Sequence, residues 1–180
     1  MNAATVVLAL GGNLGDVAAT FRQALTALSH SGLTGLRCSS FHRTAPVDCT
    51  PGTPDFLNAV VVGSWSGTAA ELHDATRALE EKFGRPAHHG HNTPRTLDID
   101  LILFGDAIIR TPTLTVPHRE AARRRFVLEP LAEIAPELVF PDLNQTVREL
   151  LDALPPTAPA ESLITVIKIR PHREDHRKQS

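Results

Sequence analysis

Apolar positions recur along this chain with two different periods, and the switches between them predict the order of its elements. Thr5 to Leu10 is a short apolar run that stops at Gly11-Gly12-Asn13-Leu14-Gly15-Asp16, which predicts a buried strand, a tight turn and the start of a helix. Asp16 supplies an N-cap, and Phe21, Leu25 and Leu28 then share one helical face up to about His30, ahead of Gly32. Leu36 to Thr44 is a second extended segment, and Pro46, Pro51, Gly52 and Pro54 exclude regular structure from the loop behind it. Asp55 to Trp65 is a third strand, closed by Gly67 and expected to pair antiparallel with the second. Thr68 and Glu71 have capping-box spacing, and Leu72, Ala75, Leu79 and Phe83 continue at helical intervals to a stop at Gly84.

A polar loop from Arg85 to Thr93 then leads into a fourth strand, Arg95 to Phe104. Arg119 to Arg125 is a polar turn, and Phe126 to Pro136, interrupted by Pro130, predicts short helical turns. Thr146 and Glu149 repeat the capping pattern and open a last helix that buries Val147, Leu150, Leu151 and Leu154. In order, the elements are β-α-β-β-α-β with helices appended. That is the split pattern of a ferredoxin-like α+β sandwich, with a mainly antiparallel sheet and helices on both faces.

Length and composition narrow the function without naming it. At 180 residues the chain suits one domain, expected over residues 1–154. Residues 155–180 are expected to add a proline-rich linker, an extra strand within Ser162 to Arg170, and a charged disordered tail. A net charge of −2, with both signs mixed along the chain, predicts neither a nucleic-acid partner nor a membrane surface. Cys38 and Cys49 have no metal-ligand spacing and are too few for a disulfide framework, so a reducing, cytoplasmic setting is expected. No N-terminal targeting pattern and no bilayer-spanning apolar run is present.

The chemistry concentrates in Pro94-Arg-Thr-Leu-Asp-Ile-Asp-Leu-Ile-Leu-Phe104. Side chains alternate along a strand, so Asp98 and Asp100 share one face while Leu97, Ile99 and Leu101 take the other. Two converging carboxylates suit a hard cation such as Mg²⁺ held together with substrate phosphates, and Arg95 adds a planar donor for phosphate oxygens. The same acids also fit a solvated strand end or partners of a structural arginine.

Further motifs narrow the choice. Leu10-Gly-Gly-Asn-Leu-Gly-Asp16, Thr44-Ala-Pro-Val47, Asp55-Phe-Leu-Asn-Ala59, Pro94-Arg-Thr-Leu-Asp-Ile-Asp100, Val116-Pro-His118, Arg124-Arg-Phe-Val-Leu128 and Pro130-Leu-Ala-Glu-Ile-Ala-Pro136 occur in this order. Together they resemble the 6-hydroxymethyl-7,8-dihydropterin pyrophosphokinase family of folate biosynthesis, from about Val6 to Leu154. The resemblance implies transfer of pyrophosphate from ATP to the pterin hydroxymethyl oxygen, releasing AMP, with two Mg²⁺ ions held by Asp98 and Asp100. It further implies that Arg85 and Arg95 reach the triphosphate as catalytic residues and that Glu80, His118 and Arg124 bind ATP. An exposed helical carboxylate is the alternative for Glu80. Asn13, Thr44, Pro46, Val47, Phe56, Asn58 and Phe126 resemble the pterin pocket, with the two phenylalanines stacking on the heterocycle and Asn58 at its edge. Small-molecule ligands and a monomer or weak dimer are expected.

Three positions depart from the family pattern. Gly12 stands where serine is common, Asp48 where glycine often follows the pocket motif, and Asn92 where the loop frequently carries tryptophan. His88, His89 and His91 make that loop histidine-rich, so ATP affinity is expected to fall as imidazoles lose their protons above pH ~6.5. A zinc site there, a metal-dependent nucleotidyltransferase, and a pterin-binding module without turnover are the competing readings.

Overall fold

The computed structural model describes residues 3–46, 52–84 and 94–155, together with the backbone of 163–167. The first strand, β1, spans Ala4–Gly12, and its neighbour in sequence, helix α1, spans Val17–His30. The Asp16 carboxylate accepts the Ala19 N–H, which satisfies one of the free donors at the helix start. Val17, Phe21, Ala24 and Leu28 are the buried residues of α1; Phe21 and Leu28 are on the expected stripe, while Ala24 takes the centre and Leu25 is only half-buried beside it.

The expected single segment at 36–44 is two strands, β2 (Thr34–Cys38) and β3 (Phe41–Thr44), both antiparallel to β4 (Phe56–Trp65). Ser39 makes the break. Its N–H donates to the Val60 carbonyl, and its hydroxyl accepts the Val60 N–H, so a side chain replaces one rung of the ladder. Helix α2 covers Ala69–Lys82 with a complete Thr68/Glu71 capping box.

Strand β5 runs Asp98–Phe104, three residues shorter at its start than the sequence suggests. The reason is local: Arg95 N–H donates to Asn13 Oδ1, and the Arg95 carbonyl accepts the N–H groups of Asn13 and Leu14. The Pro94–Leu97 backbone is thus tied to the turn after β1 before pairing begins. Two short hairpins escaped the periodicity, β6 (Ile109–Arg110) with β7 (Thr115–Val116), and β8 (Val139–Phe140) with β9 (Gln145–Thr146).

Phe126 to Pro136 is also not a set of short turns. Helix α3 runs unbroken over Arg125–Ile134 with Pro130 inside it. An interior proline costs about 3 kcal/mol through its lost hydrogen bond and ring clash. Burial of Val127, Leu128 and Leu131 returns roughly 1.5–3 kcal/mol each, which is enough to keep the helix whole. Helix α4 covers Val147–Ala153, capped by Thr146 and Glu149.

The central sheet has the order β10-β3-β4-β1-β5, with β2 also on β4 and every described pairing antiparallel; β10 is Leu163–Ile167, paired with β3. Alternation divides the core in two. One cluster joins Val6, Leu8, Leu10, Leu57, Ala59, Val61, Ile99 and Leu101 to Phe21, Ala24 and Leu28 of α1 and Leu72 and Leu79 of α2. The other joins Val7, Val60, Val62, Ile102 and Leu103 to Val127, Leu128 and Leu131 of α3 and Val147 and Leu150 of α4. Helices therefore cover both faces: α1 and α2 of the β-α-β-β-α-β unit lie on one, and the appended α3 and α4 on the other.

Candidate active site

Strand register assembles the site. Asn58 of β4 pairs with Gly11 of β1, and Gly11 pairs in turn with Asp98 of β5. His42 of β3 pairs with Asn58 on the far side. Paired residues of neighbouring strands present their side chains to the same face, so His42, Asn58 and Asp98 form one row across four strands, with a gap at Gly11. The next row holds Val60, Ala9 and Asp100. Phe56, paired with Thr44, lies one row further out. All of these share the face that α3 and α4 cover, because Val60, Val62 and Val7 continue the same alternation into that cluster.

Each half of this face has its own chemistry. On the β3/β4 side, Asn58 Nδ2 donates to Thr44 Oγ1 at 2.9 Å, and both residues are buried. That bond fixes the amide plane and leaves a carboxamide oxygen directed toward Gly11. Pro46 follows at partial exposure. Asn13 is buried; besides its bonds to Arg95, its Nδ2 donates to the Pro54 carbonyl at 3.4 Å. It therefore clamps two loops together at the mouth of the site.

On the β5 side, Arg95 Nη1 lies 2.6 Å from Asp98 Oδ2, and both side chains are mostly buried. A short charge-assisted bond of this kind gives the aspartate a counter-charge without any bound ion. Arg95 Nε is buried and has no hydrogen-bond partner, so the guanidinium keeps unused donor capacity. Glu80 is not the exposed helical carboxylate that its position in α2 allows. It is buried, and its Oε1 accepts the Ile99 N–H at 2.7 Å, between the two aspartates. This bond pins the free edge of β5 and sets the pitch of the acid pair.

Asp100 lines a cleft of about 310 Å³ with His73, Ile99, Leu101, Thr113, Leu114, Thr115, His118, Arg119, Glu120 and Arg124. That volume lies at the lower end of the range for small-molecule sites. His118 is held to β5 because its N–H donates to the Ile102 carbonyl, and its Nδ1 accepts the Glu120 N–H. Arg124, just before α3, places its guanidinium carbon 5.6 Å from the centroid of Phe126, a ring still 37 % exposed. The expected nucleotide-binding arginine and the expected stacking aromatic thus touch each other. His73, Thr113, Thr115, Arg119 and Glu120 were missed by sequence reasoning. His73 lies on a helix between apolar positions, where nothing local distinguishes a cleft residue from a surface one. Its Nε2 is buried without a partner.

Val47, Arg85 and the expected loop residues His88, His89, His91 and Asn92 lie outside the described residues, as do Asp48 and Cys49. Gly12 has a structural reason. A Cβ there would stand 2.7 Å from the Thr96 carbonyl oxygen and 2.9 Å from Val17 Cγ1, so the glycine lets the Pro94–Leu97 segment close onto β1. At half-buried Cys38, burial and then the Glu133 carboxylate push the thiol up to about 12, away from the thiolate form that reacts. Among the described residues no group of three or more His, Cys, Asp or Glu converges on a metal-sized space. No helix among them is long and apolar enough to cross a membrane.

The sequence profile of the 7,8-dihydro-6-hydroxymethylpterin-pyrophosphokinase (HPPK) family matches residues 7–136. The chain belongs to this family. It is 39% identical over 153 residues to a 2-amino-4-hydroxy-6-hydroxymethyldihydropteridine pyrophosphokinase of Synechocystis, covering 84% of this chain and 77% of that one. It is 36% identical over 148 residues to the enzyme of the same name from Haemophilus influenzae, covering 82% and 91%. The Plasmodium falciparum HPPK-DHPS A437G crystal structure with SDX-DHP superposes with a TM-score of 0.67 at 16% identity, over 84% of this chain and 46% of that one. At that identity the superposition speaks for the fold, and this chain spans less than half of the larger protein. Family membership makes the chain an ATP-dependent pyrophosphokinase of folate synthesis.

Proposed function

We propose that the α3/α4 face of the sheet carries the whole reaction, with the dihydropterin on the β3/β4 side of Gly11 and the ATP polyphosphate on the β5 side. The observation that supports this reading most is the row Asn58, Gly11, Asp98, continued by Asp100 into the cleft with His118 and Arg124. A flat heterocycle needs donors and acceptors at its edge and apolar surface on its faces, which Asn58, Thr44, Phe56 and Phe126 can supply. A polyphosphate needs cationic and metal partners, which the other side can supply.

The donor set fits Mg²⁺. Asp98 and Asp100 are hard oxygen ligands on one face, and two carboxylates completed by phosphate oxygens are the usual way in which this ion is held. Held by Asp98 and Asp100, Mg²⁺ would supply charge neutralisation of the transferred group. Two such ions are the number we propose.

The chain's own groups do the rest. Arg95 holds Asp98 with one N–H and has further N–H groups in its fork for a phosphate oxygen. His118 and Arg124 are positioned by β5 and by the start of α3 to receive the remaining phosphates. Glu80 holds the backbone between the two acids. In the transfer, a bond forms between the hydroxymethyl oxygen, whose proton passes to solvent, and the β-phosphorus of ATP. The bond from that phosphorus to the α,β-bridging oxygen breaks, and AMP leaves with the electron pair. No side chain has to become covalently attached, so catalysis is positioning and electrostatics. Family membership and a net charge of −2 with both signs mixed along the chain support a pterin acceptor over a polynucleotide, and we place the enzyme in the cytoplasm.

The test is AMP release by the purified full-length chain, followed with and without 6-hydroxymethyl-7,8-dihydropterin and with and without Mg²⁺. AMP is expected only with both present. AMP release independent of the pterin, or pterin binding with no AMP under any condition, overturns the reading.

A further inference from the structure

Gly11 separates the two halves of the site, and neither the backbone nor the packing of the fold explains why it is glycine. It is absent from the positive-φ positions, which include Gly15, Gly32 and Gly105, so no left-handed conformation demands it. A Cβ built there would meet Asn58 Oδ1 at 3.7 Å and Asp98 Cβ at 3.9 Å, which is ordinary van der Waals contact among the described residues. Its neighbour shows the contrast: at Gly12 the same atom would be driven into the Thr96 carbonyl. Glycine inside a strand is less stable than alanine, because it gives up more chain freedom and packs nothing. A strand that tolerates a Cβ and lacks one marks a place where something outside the fold approaches the backbone.

We infer that Gly11 is the seat of the acceptor's hydroxymethyl arm and the residue that sets how bulky that arm can be. This rests on the reading that pterin and polyphosphate occupy opposite sides of the row. Asn58 and Asp98 stand on the strands flanking β1, two strand spacings apart, roughly 10 Å between backbones. A heterocycle anchored at Asn58 and a phosphate anchored at Asp98 can exchange a group only across the space between them. The floor of that space is the Gly11 Cα. A methyl group there would fill the space through which the reacting oxygen must pass, while leaving Asn58 and Asp98 where they are.

The test uses Gly11→Ala in the full-length chain. Two ligands are compared, each titrated with Mg²⁺ and a non-hydrolysable ATP analogue: 6-hydroxymethyl-7,8-dihydropterin and 7,8-dihydropterin, which has no arm. The melting temperature is expected to stay level or rise, and affinity for the ATP analogue to stay within about twofold. Affinity for the arm-bearing pterin, or its kcat/KM, is expected to fall about tenfold or more, and affinity for the armless pterin by no more than about threefold. The inference is overturned if both pterins lose affinity equally, or if both bind as in the unaltered chain and the arm-bearing pterin turns over at its unaltered rate. A fall in melting temperature or in ATP-analogue affinity also overturns it, because Gly11 would then serve the fold. If the unaltered chain releases no pterin-dependent AMP, it is the proposed function that fails, and the Gly11→Ala comparison is not what decides it.

Discussion

Along β1, β4 and β5 the α1/α2 face of the sheet is apolar throughout, whereas the α3/α4 face is apolar only over half its length. Along β1 the first face shows Val6, Leu8 and Leu10, and the second shows Val7, then Ala9 and Gly11. Along β5 the first face carries Ile99 and Leu101, and the second carries Leu103 and Ile102, then Asp100 and Asp98. The same strands thus support two regimes. Where two helices close over the sheet, alternation serves packing. Toward the strand ends, beyond the apolar contacts of α3 and α4, it delivers polar groups at a spacing fixed by the ladder. A site built on strands inherits their rigidity, which suits a reaction that depends on holding two ligands in line.

The comparison predicts a split between activity and stability. Asp100→Asn keeps the shape of the side chain but removes a charge from the phosphate side. We expect kcat to fall by about 10²–10³-fold or more, with a melting temperature close to that of the unaltered chain. Phe21→Ala, at the centre of the opposite face, is expected to cost about 3–5 kcal/mol of unfolding free energy through its lost burial and residual cavity. Its folded fraction should still turn over normally, in the urea-unfolding and AMP assays that measure the two effects. An Asp100→Asn variant with full activity, or a Phe21→Ala variant whose kcat collapses while it remains folded, would erase the distinction between the faces.

Glu80 belongs to the first face by position in α2 and to the second by its effect, so it sharpens the comparison. Glu80→Ala strands the Ile99 N–H at a buried edge, and about 1–3 kcal/mol of stability should be lost. The acids on either side of Ile99 should lose their spacing as well, lowering kcat roughly tenfold, about 1.4 kcal/mol in the barrier. Glu80→Gln keeps an acceptor oxygen and is expected to recover most of both. If instead Glu80→Ala raises the KM for ATP with stability and kcat untouched, the carboxylate serves the nucleotide directly.

How much of this was legible depended on how far apart the partners lie in sequence. Asp16, Thr68 and Thr146 declared their helices because a cap is read within four residues. The Asp98/Asp100 pair was equally plain, since alternation is local. The row that gives the acids their meaning was not, because it depends on the register of β4 and β5 against β1, and nothing near Gly11 announces that Asn58 and Asp98 will flank it. Pro130 was misleading in the other direction. Its local penalty suggested a break that the burial of Val127, Leu128 and Leu131 overrides. The rung that Ser39 takes from β2 and β3 could not be foreseen, because a serine inside an extended run looks like any exposed polar residue.

The two faces agree in one respect, the way their helices begin, and that yields the smallest effect. Glu71 on α2 and Glu149 on α4 each close a capping box, and in both cases the backbone N–H and then the hydroxyl of the capping threonine hold the carboxyl below its usual range. A carboxyl whose folded pKa is depressed contributes stability above its unfolded value, near 4.5, and loses that contribution as pH falls through the folded value. Both helices should therefore weaken together on acidification below about pH 4.5. Glutamine at the same position still accepts the cap N–H but cannot take up a proton there. The Glu71→Gln/Glu149→Gln double variant is expected to show a shallower fall in melting temperature between about pH 5 and pH 3 than the unaltered chain, by a few degrees at most. Parallel slopes would mean that the caps are already protonated, or are frayed in solution. A shallower slope in only one single variant would show that one face carries more of the shared capping contribution than the other.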